Sequence, residues 1–115
     1  MASRQSPWDE HGLGPTEIRP GDLTHLNAVM HVMDRAFPKT YGEGWNNHQC
    51  RSMLSMPNAR LLIASRQGAV CGFVISRRAA DEEELLMIAV APECQSQGVG
   101  YLLLDHMLET ARAHQ

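Results

Sequence analysis

Residues 85–101 read LLMIAVAPECQSQGVGY, and the order of signals in this stretch decides the fold. Six apolar residues, Leu85, Leu86, Met87, Ile88, Ala89 and Val90, lead into Pro92, and Gln97-Gly98-Val99-Gly100 begins five residues later. The apolar run has the length of a buried strand. Beyond the glycines, Val99, Leu102, Leu103, Met107 and Thr110/Ala111 recur at helical spacing, predicting an inward face over 98–113. A strand, a glycine-bearing turn and a helix N-terminus in that order form an anion site. The first-turn amides of a helix lack intrahelical partners and point at whatever sits above them. Gly98 and Gly100 carry no Cβ, so a bulky phosphate can approach the backbone itself.

The rest of the chain sets limits on the reading. It has 115 residues, a formal net charge of −3, 43% hydrophobic and 20% charged residues. That is one domain with room for a core, small for most enzymes, and ordinary in composition. The acidic balance argues against a general nucleic-acid binder. No apolar run approaches the roughly 20 residues of a membrane span, and residues 1–14 show no signal-peptide core. Cys50, Cys71 and Cys94 are odd in number and lack Cys-x-x-Cys spacing. Reduced thiols in a cytoplasmic protein are therefore expected, rather than a disulfide framework or a zinc site.

Taken in order, residues 1–15 are polar with Gly and Pro and are expected to stay loose. Residues 16–19 predict a short strand closed by Pro20-Gly21. Asp22 is a good N-cap for a helix to about residue 37, with Leu23, Leu26, Met30, Met33 and Phe37 on one face and Pro38 as its stop. A second helix is predicted over 46–56, stopped by Pro57-Asn58. Residues 60–65 and 70–77 read as a hairpin around Gln67-Gly68. Residues 79–83 read as a link to the strand 84–91. The predicted order is β-α-α-β-β-β-α, a mixed α/β domain with a largely antiparallel sheet.

Two familiar phosphate loops do not match the turn. No Gly-Lys-Ser/Thr closes it, and no glycine opens it as a dinucleotide fingerprint requires. The pattern Gln95-x-x-Gly98-x-Gly100, after a strand ending Ile88-Ala89-Val90-x-Pro92, resembles the acetyl-CoA pyrophosphate motif of the GNAT superfamily of N-acetyltransferases. The element order is similar to the N-terminal part of that fold, over residues 16–115. Within the superfamily the look is of the bacterial enzymes that acetylate the N-terminal alanine of a ribosomal protein. It is carried by Leu86-Met87-Ile88-Ala89-Val90-x-Pro92, by Gly98-Val99-Gly100-x-x-Leu103-Leu104-x-x-Met107-Leu108 (with Leu103 and Leu104 as the leucine pair), and by Ala36-Phe37-Pro38.

The resemblance implies acetyl-CoA as cofactor and a protein or peptide N-terminal amine as acceptor. It implies that the backbone of Ile88, Ala89 and Val90 pairs with the pantetheine arm. The amides of Gln95, Ser96, Gln97, Gly98, Val99, Gly100 and Tyr101 would hold the pyrophosphate. An amine must lose its proton and attack a thioester carbonyl, which the Val90 N–H is placed to polarise. Family spacing puts a candidate general base at Glu84, against the blander reading of Glu82, Glu83 and Glu84 as a solvated acidic turn.

Two departures from the family pattern stand out. No Lys or Arg lies between Arg78 and Arg112, so the turn is expected to lack its usual point charges and to bind more weakly. The family also continues into a fifth strand, a fourth helix and a closing hairpin, with a catalytic glutamate and tyrosine that would fall past Gln115. An open edge on the strand 84–91, flanked by Leu85, Met87 and Ile88, is therefore expected, together with a homo-oligomer that covers it. The alternatives are a non-catalytic acyl-CoA-binding or self-assembling module, or a family member acting on a small-molecule amine.

Other residues carry weaker signals. Tyr101 is read as a helix-surface tyrosine, and Tyr41 and Trp45 either shape an acceptor site or close a small core. Cys94 beside the turn is a candidate reactive thiol. The six histidines show no ligand spacing and are read as surface residues.

Overall fold

The computed structural model describes residues 15–38 and 44–113; most of the predicted loose segment and Tyr41 lie outside them. Four antiparallel strands form one sheet in sequence order: β1 (Glu17–Gly21), β2 (Ala59–Arg66), β3 (Ala69–Ala79) and β4 (Glu82–Val90). Helices α1 (Leu26–Ala36) and α2 (Asn47–Leu54) intervene between β1 and β2, and α3 (Val99–Ala113) follows β4. The predicted order and mixed class hold. None of the helices among the described residues is long and apolar enough to cross a membrane.

The helix starts are set by side-chain caps. Asp22 accepts from Thr24 N at 2.9 Å, and its own N–H donates to His25 Nδ1 at 3.1 Å. This cap opens a single 3-10 turn, Leu23–His25, before α1 begins. The tighter turn shifts the phase of the face. Leu23, predicted to be buried, is 42% exposed, and the buried stripe is Leu26, Val29, Val32 and Met33, with Met30 and Phe37 at its margin. Asn46 and Gln49 cap α2 reciprocally, each bond 2.8 Å long.

The sheet separates two cores. Phe73, Ile75, Leu61 and Ile63 face α1 and α2, whereas Ala64, Val74 and the bulged Cys71 lie beneath Val99, Leu103 and Met107 of α3. Leu102, predicted to face inward, is 38% exposed, because the α3 contact is a narrow i, i+4, i+8 stripe. The predicted link 79–83 is instead the end of a hairpin. β3 and β4 pair as far as Ala79 and Glu82 and turn through Ala80 (φ 55) and Asp81. β4 pairs only with β3 among the described residues, so its other edge is open.

A bulge in β4 changes the phase of its side chains. Met87 lies opposite Ile75 and Leu85 opposite Ser76, leaving Leu86 unmatched, so Leu86 and Met87 both pack against the α1/α2 core. Residues before the bulge thus face the opposite way from what simple alternation with Ile88 and Val90 implies.

Candidate functional site

Three pieces of backbone converge where β4 ends. The first is its open edge. Ala91 N donates to Cys71 O at 2.8 Å. Since neighbouring strand residues turn their N–H and C=O groups to opposite sides, Ile88 and Val90 direct theirs away from β3, and Ala89 directs its own toward it. Of the three predicted pantetheine contacts, Ile88 and Val90 therefore have backbone groups on the open side and Ala89 does not. Gln95 reaches back to this edge, its Nε2 donating to Val90 O at 2.9 Å.

The second piece is the turn. A short 3-10 segment, Pro92–Cys94, leads into Gln95, after which Ser96 (φ 65) and Gly98 (φ 84) both take left-handed backbone. Gln95, Ser96, Gln97 and Gly98 are all exposed. A Cβ built on Gly98 meets nothing within 4 Å, and one on Gly100 meets only Val90 Cγ2 at 3.9 Å, so there is open space over both.

The third piece is the start of α3. Leu102 N donates to Gly98 O at 3.1 Å, which leaves the amides of Val99, Gly100 and Tyr101 without intrahelical acceptors. The buried Val99 side chain anchors this end to the sheet, while the Tyr101 side chain is 82% exposed. An open strand edge for an extended arm, next to a ring of free amides with space above two glycines, fits the cofactor expected from the sequence.

Two arginines brace this turn from distant parts of the chain, which corrects the expectation that it lacks basic side chains. Arg35, in the last turn of α1, donates Nη2 to Glu93 Oε2. That bond holds the Glu93 carboxyl below its ordinary pKa and raises that of Arg35. Arg66, at the end of β2, is 8% exposed. Its Nη1 donates to Gln97 Oε1, and its Nε donates to Thr16 Oγ1 at 2.7 Å. Gln97 Nε2 in turn donates to Glu93 O at 3.2 Å. No local pattern in the sequence signals either brace, because both contacts span 30 residues or more.

Cys94 does not behave as a reactive thiol. It faces the core beneath the turn, and burial, reinforced by Cys71, pushes its pKa up to about 12.

The acidic triplet divides. Glu84 is exposed and lies opposite Arg77, on the α1/α2 side and before the bulge. Val90 is six positions further along β4, roughly 20 Å at the usual rise. A base must come within about 3 Å of its proton or act through one water. A base role for Glu84 therefore requires the reacting carbonyl to be held nearer its own end of β4 than Val90. Glu83, dismissed with its neighbours as solvated, is the buried member, with a side chain 3% exposed. It accepts from Ser76 Oγ at 2.7 Å and lies 3.7 Å from Arg60 Nε. The middle position of the triplet is the one that alternation turns inward.

Trp45 packs against the α1/α2 core, and with Met30, Met33, Asp34 and Phe37 it borders a cavity of about 350 Å³. Among the described residues, no group of three or more His, Cys, Asp and Glu side chains could hold a metal ion.

The model of the acetyltransferase (GNAT) family matches residues 26–115. The chain belongs to the GNAT family. Among GNAT relatives, the ribosomal-protein bS18 alanine N-acetyltransferase of Escherichia coli is 30% identical over 93 residues, 76% of this chain and 56% of that protein. The crystal structure of the ribosomal-protein alanine N-acetyltransferase from Escherichia coli matches with a TM-score of 0.79 at 26% identity, over 87% of this chain and 61% of that chain. The PaiA N-acetyltransferase of Thermoplasma acidophilum, solved with coenzyme A, has a TM-score of 0.73 at 18% identity, over 88% and 74% of the two chains; at that identity it shows a shared fold. This GNAT chain spans little more than half the length of the curated relatives it matches.

Proposed function

We propose that the protein is an N-acetyltransferase that takes acetyl-CoA at the 88–101 site and acetylates an amine, in particular the N-terminal alanine amine of a protein. The observation that carries this reading is the meeting of the open β4 edge with the free amides at the start of α3, those of Val99, Gly100 and Tyr101. Acetyl-CoA would supply the acetyl group as a thioester, which an amine attacks with loss of a proton and release of the thiol. The outward Val90 N–H polarises the carbonyl, Ile88 and Val90 pair with the extended arm, and the amides of Ser96 to Tyr101 take the pyrophosphate, that of Gln95 being held by Pro92 O. The choice of a protein N-terminus rests on the name of the Escherichia coli relative. The same reading puts the protein in the cytoplasm, where its free, buried thiols Cys50, Cys71 and Cys94 stay reduced.

A second reading, a self-assembling acyl-CoA-binding module, is favoured by the open edge of β4 beside Leu85, which is 45% exposed. Unpaired strand groups next to apolar side chains invite pairing with a second copy. Light scattering across a dilution series tests this, and a monomer at all concentrations removes it.

The site itself is tested by thermal melting. CoA at 100 times its Kd should stabilise the fold by about 2.7 kcal/mol. Gly98→Asp adds a side chain where backbone is left-handed and a negative charge in the anion site, and should abolish the stabilisation. A shift that survives Gly98→Asp unchanged removes the assignment. Transfer of radiolabelled acetyl to an alanine-terminated peptide, set against a blocked peptide, tests the acceptor.

A further inference from the structure

The two arginines at the turn differ in what they offer an anion. Arg35 is paired with the Glu93 carboxylate, so the pair carries no net charge toward a ligand. Arg66 is buried, and its hydrogen-bond partners among the described residues, Thr16 Oγ1 and Gln97 Oε1, are both neutral. The Cys71 and Cys94 thiols close to it are kept protonated by burial and supply no counter-charge. A guanidinium removed from water without an acid beside it is costly, unless another anion completes it. The one anion-binding element it touches is the turn, through Gln97, next to Gly98 and the free amides of α3.

We propose that Arg66 is the fixed positive charge of the anion turn: a positioning residue that acts through Gln97 and takes over the role of the basic side chains absent from residues 79–111. The inference rests on the turn being the CoA pyrophosphate site. Arg66 does two things there. Its fork ties Thr16 of the β1 side to Gln97, which in turn holds Glu93 O, so the left-handed backbone at Ser96 and Gly98 is set before any ligand arrives. Its charge lies beside the Gln97 side chain, where low solvent access leaves it little screened by salt.

Binding of CoA, inorganic pyrophosphate and S-acetylpantetheine to the full chain separates this role from a merely structural one. Arg66→Met should raise the Kd for CoA and pyrophosphate by about tenfold, the scale of a lost charge-assisted contact. Binding of S-acetylpantetheine, which has no pyrophosphate, should not change. Arg66→Lys keeps the charge without the fork and should lose less. Gln97→Leu changes only an exposed side chain, so it folds even where Arg66→Met does not, and it should weaken CoA but not S-acetylpantetheine. Equal loss for all three ligands, or a CoA affinity unmoved by Gln97→Leu and Arg66→Met, overturns the inference alone. A wild-type chain that binds S-acetylpantetheine but neither CoA nor pyrophosphate overturns the turn assignment as well.

Discussion

On the α1/α2 side of the sheet the core is made of large side chains, Phe73, Ile75, Leu61, Ile63 and Met33. On the α3 side the sheet contributes Ala64, Cys71 and Val74, the chain after β4 adds Ala91 and Cys94, and one helix covers them with Val99, Leu103 and Met107. Gly72 belongs to this second face. A Cβ there would meet Ala89 O at 3.1 Å, Leu103 Cδ1 at 3.3 Å and Val99 Cγ1 at 3.3 Å. Small residues let α3 lie close, and closeness fixes its N-terminus against the end of β4. The first face therefore supplies most of the apolar burial, and the second sets the geometry of the site.

That contrast can be broken most sharply at Phe73. Phe73→Ala should cost about 3–5 kcal/mol of stability, read from the denaturation midpoint, while the folded fraction keeps its affinity for CoA. Leu103→Ala should cost about 2–5 kcal/mol and also weaken CoA, because Leu103 holds the helix whose amides form the site. If both variants weaken CoA alike, the division of labour between the faces is wrong.

Gly72→Ala probes the close approach alone. The backbone oxygen of Ala89 cannot give way as a side chain can, so about 1 kcal/mol or more of overpacking strain is expected. Displacement of Val99 should raise the Kd for CoA more than the stability loss explains. A variant of unchanged stability and affinity would show that α3 has slack.

The smallest effect concerns the brace between the two faces, Arg35 to Glu93. The folded pKa of Glu93 is depressed by Arg35, so its stabilisation is present above the ordinary carboxylate pKa and is lost as pH falls through the lowered value. Glu93→Gln should therefore lower the melting temperature slightly at neutral pH, with the difference from wild type fading as pH falls below about 4.5, so that the acid limb is flatter. A loss of the same size at neutral and acid pH would mean the pair acts through packing.

The helix cap Asp22, the turns at Gln67-Gly68 and Pro92, and the strand–turn–helix order of 85–101 were legible in the sequence, because each depends on neighbours a few residues away. The turn at 95–98 belongs with them: the left-handed backbone at 98 favours glycine locally. The facing of Glu83 and Glu84 was not legible, because it depends on a bulge opposite Ile75 and Ser76 that only the β3 pairing produces. Leu23 was misplaced for a related reason, since one 3-10 turn moves a side chain off the stripe.

What the sequence by itself determined is thus the local grammar: which residues start and stop each element, and where free amides gather. The tertiary structure alone decided what surrounds those amides. Arg66 and Arg35 come from 31 and 58 residues away, and they meet the turn only because the sheet and α1 bring their ends to one place. Charge acts through space and not along the chain, so the electrostatics of the site became readable only once the fold was in place.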